Sequence, residues 1–239
     1  MMPTEAIGVD TGMVHSAIAA HAVSGQEWVR SLVRPEVGVL ESALMISALR
    51  AAVAENTWPC YPLCVIATER LVGMRGRGEN NLALLWAVLE GALGCFAKIV
   101  RDTTDLAIRE QLRLCIVLPT GGQLKKFVTG VGKGEKLGMG RYIERHWPQA
   151  PDQEDEAEAY ALMQFARCRR AYMLEEITRD DPGEWTAYQV ETACKDLWSS
   201  AQASKLQALD VSAAQVLAVA DKFEQRAWGA QRSIGREEL

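Results

Sequence analysis

Acidic residues carry the strongest chemical signal in this chain. Asp10 closes a short apolar run, Ala6 to Asp10, and Thr11-Gly12 follows it as a turn. Glu69 closes a second run, Leu63 to Thr68, of the continuous apolar kind that a buried strand needs. A lone acid at a strand end usually serves a turn or a cap. Two at equivalent ends fit the carboxyl edge of an open α/β sheet, where such folds place their sites. A third group lies between Asp152 and Glu158, which holds five acids and no base. Asp155 and Glu158 are three residues apart, so on a helix they share a face. Glu158 also heads an apolar stripe continuing through Ala161, Leu162 and Phe165, which points it inward. Periodicity does not separate Asp155 from Glu154, since both flank that stripe. Glu156, on the opposite side, is accounted for by the helix macrodipole, which favours acids in the first turn.

Carboxylates gathered at one sheet edge repel each other unless a cation neutralises them. All-oxygen ligands select Mg²⁺, with Mn²⁺ as the substitute. Two such ions about 4 Å apart activate water and stabilise the leaving oxygen in phosphodiester hydrolysis. The chain has only three histidines, none in a motif, so histidine-based chemistry is unattractive.

Formal net charge is -5, which argues against a uniformly basic surface, yet the charge is segregated. Between Pro119 and Trp147, Lys125, Lys126, Lys133, Lys136, Arg141 and Arg145 face only Glu135 and Glu144. Arg75 and Arg77 lie in a glycine-rich loop from Gly73 to Gly78. Arg75, Arg77, Lys133 and Arg141 suit sequence-independent phosphate contacts, with Lys126 in the same basic set.

The elements that must position these groups follow from periodicity. Ala6–Asp10, Ser16–Val23 and Glu27–Val33 form an antiparallel meander. Glu41–Glu55 has helical spacing and stops at Pro59 and Pro62. Strand Leu63–Thr68 precedes a long apolar helix, capped at Asn80 or Asn81 and running to about Val100. Strand Leu112–Leu118 breaks at Pro119-Thr120-Gly121-Gly122. A short helix, a second ending near His146 and a third running from near Asp152 past Arg170 complete the pattern. Helical crossovers between buried strands imply parallel pairs covered by helices. The expected fold is therefore α/β, a mixed five-stranded sheet flanked by helices. From about Pro182 onward the pattern reads as purely helical. The expected division is 1–181 for the α/β domain and 182–239 for a helical C-terminal extension.

These residues resemble the RuvC family of Holliday junction resolvases, crossover-junction endonucleases of the RNase H-like superfamily. Ile7-Gly8-Val9-Asp10-Thr11-Gly12 is similar to the first family motif, and Ile66-Ala67-Thr68-Glu69 to the second. Leu124 to Lys136 is the most specific match, a lysine-flanked Val-Gly-x-Gly segment that selects Lys125 and Lys136. Asp155-Glu156-Ala157-Glu158-Ala159-Tyr160-Ala161 is similar to the closing Asp-x-x-Asp-Ala-x-Ala segment, and favours Asp155 over Glu154. The match spans about residues 5 to 170 with all four motifs in order.

The resemblance implies an RNase H-like fold and hydrolysis of phosphodiester bonds in branched DNA, especially four-way junctions, by paired nicks. It implies two Mg²⁺ ions held by Asp10, Glu69, Asp155 and Glu158. Lys125 and Lys136 become catalytic and DNA-contacting residues, beside Arg75, Arg77, Lys126, Lys133 and Arg141 as DNA-binding residues. A homodimer is expected too: a four-way junction is two-fold symmetric and one site cuts one strand at a time. The Asn81–Val100 helix is apolar around almost its whole circumference, which would suit a fully buried central helix or the dimer interface, and the resemblance favours the interface. Three departures stand out: Thr11 replaces the usual proline, Glu158 an aspartate, and Val72 an aromatic wedge.

Hydrophobic content of 49% and charged content of 24% are ordinary for a globular protein. No stretch is read as long and apolar enough to span a membrane, and the start lacks the basic and apolar regions of a signal peptide. A cytoplasmic location is expected, with the six cysteines as reduced and mostly buried thiols. Cys60 and Cys64 alone make too incomplete a ligand set for structural zinc. One rival reading, an actin-like ATPase or sugar kinase, would need a second Asp-x-Gly half that is absent. Gly130 to Gly134 also lacks the Lys-Ser/Thr ending of a P-loop. The other rival is a catalytically inactive DNA-binding module on the same fold. Against it, all four motif positions still hold acids.

Overall fold

The computed structural model describes residues 4–11, 15–33, 39–56, 62–69, 78–131, 136–199 and 206–218. Strands β1 (Thr4–Asp10), β2 (His15–Ala22) and β3 (Glu27–Val33) form the antiparallel meander. Helix α1 (Val39–Asn56) leads to β4 (Leu63–Thr68), and α2 (Gly78–Asp102) and α3 (Leu106–Gln111) lead to β5 (Arg113–Leu118). Then come α4 (Gly121–Thr129), α5 (Lys136–His146), α6 (Glu154–Met173), α7 (Ala187–Trp198) and β6 (Gln207–Ser212). The sheet order is β3-β2-β1-β4-β5-β6. β4 pairs in parallel with both β1 and β5, while β6 pairs antiparallel to β5. This is a mixed α/β sheet flanked by helices, with one strand more than the sequence suggested.

Alternation divides the side chains of each strand between two cores. Ile7, Val9, Cys64, Ile66, Leu114 and Ile116 pack toward α1 and α2. On the other face, Ala6, Ala17, Ala19, Val65 and Ala67 pack with Ala159, Leu162, Met163 and Phe165 of α6. That face carries small residues because α6 lies almost directly on β1. A Cβ added at Gly8 would stand 2.0 Å from the carbonyl oxygen of Ala159 and 2.2 Å from the amide nitrogen of Met163. Only glycine permits so close an approach of strand to helix.

Polar side chains fix α6 along its length. The Tyr160 hydroxyl donates to Glu27 Oε2 at 2.5 Å and accepts from Gln149 Nε2 at 2.9 Å. Burial first, and the Glu27 carboxylate second, push that phenol above its ordinary pKa. Ser31 Oγ donates to Glu156, so Glu156 ties α6 to β3 as well as meeting the helix dipole. Arg170 Nε donates to the Leu63 carbonyl at 3.0 Å and its guanidinium pairs with Glu5 at 3.2 Å.

The structure departs from the sequence reading in three places. Helix α3 went unread; its N-cap Asp105 accepts from the amides of Ala107 and Ile108, a local signal in a six-residue element. The extension is not wholly helical, since β6 adds an edge strand to β5. The sequence from about Pro182 onward shows no strand signal here. In the strand itself, Gln207 to Asp210 are exposed and only Val211 is buried, so no alternation marks it. Finally, 20 residues of α2, Ala83–Asp102, do have the length and composition of a membrane span. Leu84, Val88, Phe96 and Val100 nevertheless sit in the core beneath the sheet.

Helix α7 packs on α4 and α6. Buried Arg169 makes a bidentate pair with Asp196 at 2.7 and 2.8 Å and donates to the Ala193 carbonyl. Trp185 lies 6.1 Å from the Phe127 ring and under the Arg167 guanidinium. Cys64, Cys115, Cys168 and Cys194 are buried thiols outside any disulfide, and Cys95 is a half-buried one; Cys60 lies outside the described residues.

Gly8→Ala is the sharpest test of this packing. The added methyl meets backbone atoms that cannot rotate away, so β1 and α6 must part. Urea denaturation should register a loss of about 3 kcal/mol.

Candidate metal centre

Strand parity brings the carboxylates together. Ala6 and Gly8 face α6, so Asp10, two residues on, leaves the end of β1 on that side. Leu63, Val65 and Ala67 face α6 likewise, and Glu69 follows in the same phase. The parallel register sets Val9 beside Thr68, so Asp10 and Glu69 are the next pair along. Glu158 arrives from above, on the second turn of α6, and is only 8% exposed. Ligand oxygens of Asp10, Glu69 and Glu158 all lie within 4.8 Å of one another.

A divalent cation fits this trio. Oxygens bound to one Mg²⁺ at about 2.1 Å are at most about 4.2 Å apart, so small side-chain rotations would close the set. At an effective dielectric of about 20, each pair of bare carboxylates at this spacing repels by about 3 kcal/mol. A cation removes that cost. The donor set is all oxygen, the chemistry that Mg²⁺ and Mn²⁺ prefer.

Helix α4 supplies a contact that the sequence reading missed. Thr120 caps it: its hydroxyl accepts from the Gln123 amide while the Gln123 side chain accepts from the Thr120 amide. Gly121 then opens the helix directly beside Glu69; a Cβ there would lie 2.6 Å from Glu69 Oε1. The positive end of a helix dipole therefore sits against one of the three carboxylates. Thr120-x-x-Gln123 was the available signal, but Pro119 and the two glycines drew it toward a simple strand break.

Among the other residues singled out by sequence, Asp155 lies in the first turn of α6, half-buried and outside the trio. Glu154 beside it is exposed. Lys125 is half-buried and one turn beyond Gly121, on the face of α4 that meets Glu69. Lys126 is also half-buried, and its charge reaches Glu191 of α7. The Glu191 carboxyl is held below its ordinary pKa first by the Lys195 hydrogen bond, against desolvation by burial, and then by the charge of Lys126. Arg141 is exposed on α5. Lys136 begins α5, and Arg75, Arg77 and Lys133 lie outside the described residues. Beyond the trio, Glu158 also lines a cavity of about 590 Å³ between α5 and α6.

No family model matches the chain, and no curated protein sequence matches it. Among solved structures, it is similar to RuvC from Thermus thermophilus, with 15% identity and a TM-score of 0.45, over 71% of this chain and 95% of that one. It is similar too to T. thermophilus RuvC in complex with Holliday junction substrate, with 14% identity and a TM-score of 0.45, over 72% and 96% of the two chains.

The Gly121 contact separates metal binding from folding. In Gly121→Ala the methyl displaces a flexible carboxylate, not backbone, so the fold should be retained or gain about 0.5 kcal/mol. Displacing Glu69 should weaken Mn²⁺ binding about tenfold, as the loss of a ligand's supporting contact does. Calorimetric titration beside thermal denaturation reads both quantities.

Proposed function

We propose that this chain is a metal-dependent endonuclease that hydrolyses phosphodiester bonds in branched DNA, resolving four-way junctions by paired nicks. The observation that carries the reading is the meeting of Asp10, Glu69 and Glu158 at the carboxyl edge of the sheet. The ordered motifs around them, with Lys125 and Lys136, supply the substrate class by their resemblance to the RuvC family.

Asp10, Glu69 and Glu158 hold the ions, and Asp155 joins them as the fourth ligand from the turn before Glu158. Two Mg²⁺ ions, once bound, supply an activated water and a counter-charge for the leaving oxygen. Lys125 extends from the same face of α4 as Gly121 and meets the scissile phosphate. Lys136, one turn before Gly140 in α5, assists charge in the transition state or places the strand. Arg75, Arg77, Lys126, Lys133 and Arg141 hold neighbouring phosphates without reading sequence. The chemistry belongs to 1–181, and 182–239 braces it. The protein is assigned to the cytoplasm.

Asp10→Asn, Glu69→Gln, Asp155→Asn and Glu158→Gln should each abolish Mg²⁺-dependent nicking of a four-way junction. Junction affinity should stay within a few-fold of the parent, because affinity comes mainly from basic contacts. Lys125→Ala should lower turnover at saturating DNA. Gel assays of cutting and binding on the same junction check both, and unchanged turnover in Lys125→Ala would remove its catalytic role.

The proposed enzyme is a homodimer through α2. Trp86 is 52% exposed on that helix, while Leu85, Leu89 and Leu93 are only half-buried beside it. Trp86→Glu should weaken self-association by roughly thirtyfold or more, the cost of losing an aromatic anchor. Light scattering at micromolar concentration distinguishes the dimer from the monomer.

A further inference from the structure

Beside the carboxylate trio lies a space that none of the roles above uses. The cavity of about 590 Å³ runs between α5, the 150–152 turn and the start of α6, and reaches the trio through Glu158. Its size falls in the range of about 300–1,000 Å³ that encloses small organic ligands. Met139, Ile143, Ala150, Pro151 and Ala157 give it apolar walls. Glu144, Asp152 and Glu154 line it as well and are exposed, so they form its rim. Gly140 lies along it, and a Cβ built there would meet nothing within 4 Å.

From these features we infer that the cavity receives one unpaired nucleobase next to the cut phosphate, and that this base is guanine. The inference rests on the nuclease reading and names the sequence preference of that same site. Apolar walls suit the faces of a flat ring, as in enzymes that hold a base outside the stack. Among the described lining residues the side-chain polar groups are all carboxylates, which as ions only accept hydrogen bonds. A base entering such a rim must bring donors. Guanine presents N1–H and N2–H side by side, and one carboxylate accepts both. Cytosine and adenine offer one amino group beside a ring nitrogen that a carboxylate repels. Thymine offers a single N–H between two carbonyls. A phosphate is excluded from the cavity by the same charges. The shared Glu158 sets the reading distance at the nucleotide adjoining the cut.

The cavity can be filled without touching the trio. Gly140→Leu projects into open space from a helix that gains by losing a glycine, and Gly140→Ala leaves most of the space open. Four-way junctions carrying each of the four bases at the nucleotides flanking the nick are compared in two arms: cutting rate in Mg²⁺, and affinity in Ca²⁺ without cutting. At one flanking position the parent should favour guanine over thymine by about tenfold, the worth of one bidentate base contact. Gly140→Ala should keep that preference. Gly140→Leu should bring the four bases within twofold while its Mn²⁺ affinity stays at the parent's value. Cutting with no base preference, or a preference undiminished in Gly140→Leu, overturns the base pocket and leaves the nuclease reading standing. A guanine preference in the binding arm without cutting on any junction keeps the pocket and overturns the nuclease reading.

Discussion

The structure turns on the contact of β1 with α6 at Gly8, where a strand and a helix touch backbone to backbone. A Cβ at that position would lie 2.0 Å from a carbonyl oxygen of α6. The residues around that contact are mostly small. Ala6, Ala17, Ala19 and Ala67 from the strands meet Ala159 and Ala161 from the helix. Packing of this density transmits position well, because interiors have little room to yield. A helix held so low delivers Glu158 to the level at which Asp10 and Glu69 leave the strands.

Electrostatics oppose that geometry as strongly as packing enforces it. Three carboxylates within 4.8 Å would separate if the chain let them. The rigid face beneath them prevents separation, and two helices reduce its cost. Glu158 sits near the positive end of α6, while Glu69 lies against the opening of α4 at Gly121. A divalent cation at the trio would supply the remaining compensation. Acidic and basic residues are likewise divided by element, with the acids at the start of α6 and Lys125, Lys126 and Arg141 on α4 and α5.

Much of this was legible before any coordinates. Asp10 and Glu69 were visible because each ends an apolar run, and strand alternation then fixes the face. Glu158 was visible as the head of the stripe Ala161, Leu162 and Phe165. Its neighbours were harder: Glu154 and Asp155 flank the stripe equally, and in the structure neither joins the trio. Gly121 was obscured because its role is an absence, a missing Cβ whose importance depends on a residue 52 positions earlier. β6 was hidden for a different reason. An edge strand with four successive exposed residues carries no alternation, and its pairing with β5 supplies the order that its sequence lacks. The long apolar α2 shows the reverse, a strong local pattern serving both a buried core and an exposed face. Composition alone does not distinguish those uses.

The claim on which the rest depends is that Asp10, Glu69 and Glu158 converge to hold a cation. Anomalous diffraction from crystals of the protein soaked in Mn²⁺ tests it most directly. The expected result is a strong peak within about 2.2 Å of oxygens from all three carboxylates, with a second peak about 4 Å away toward Asp155. Manganese found only at other acidic surfaces, with the trio empty at millimolar Mn²⁺, would contradict the account.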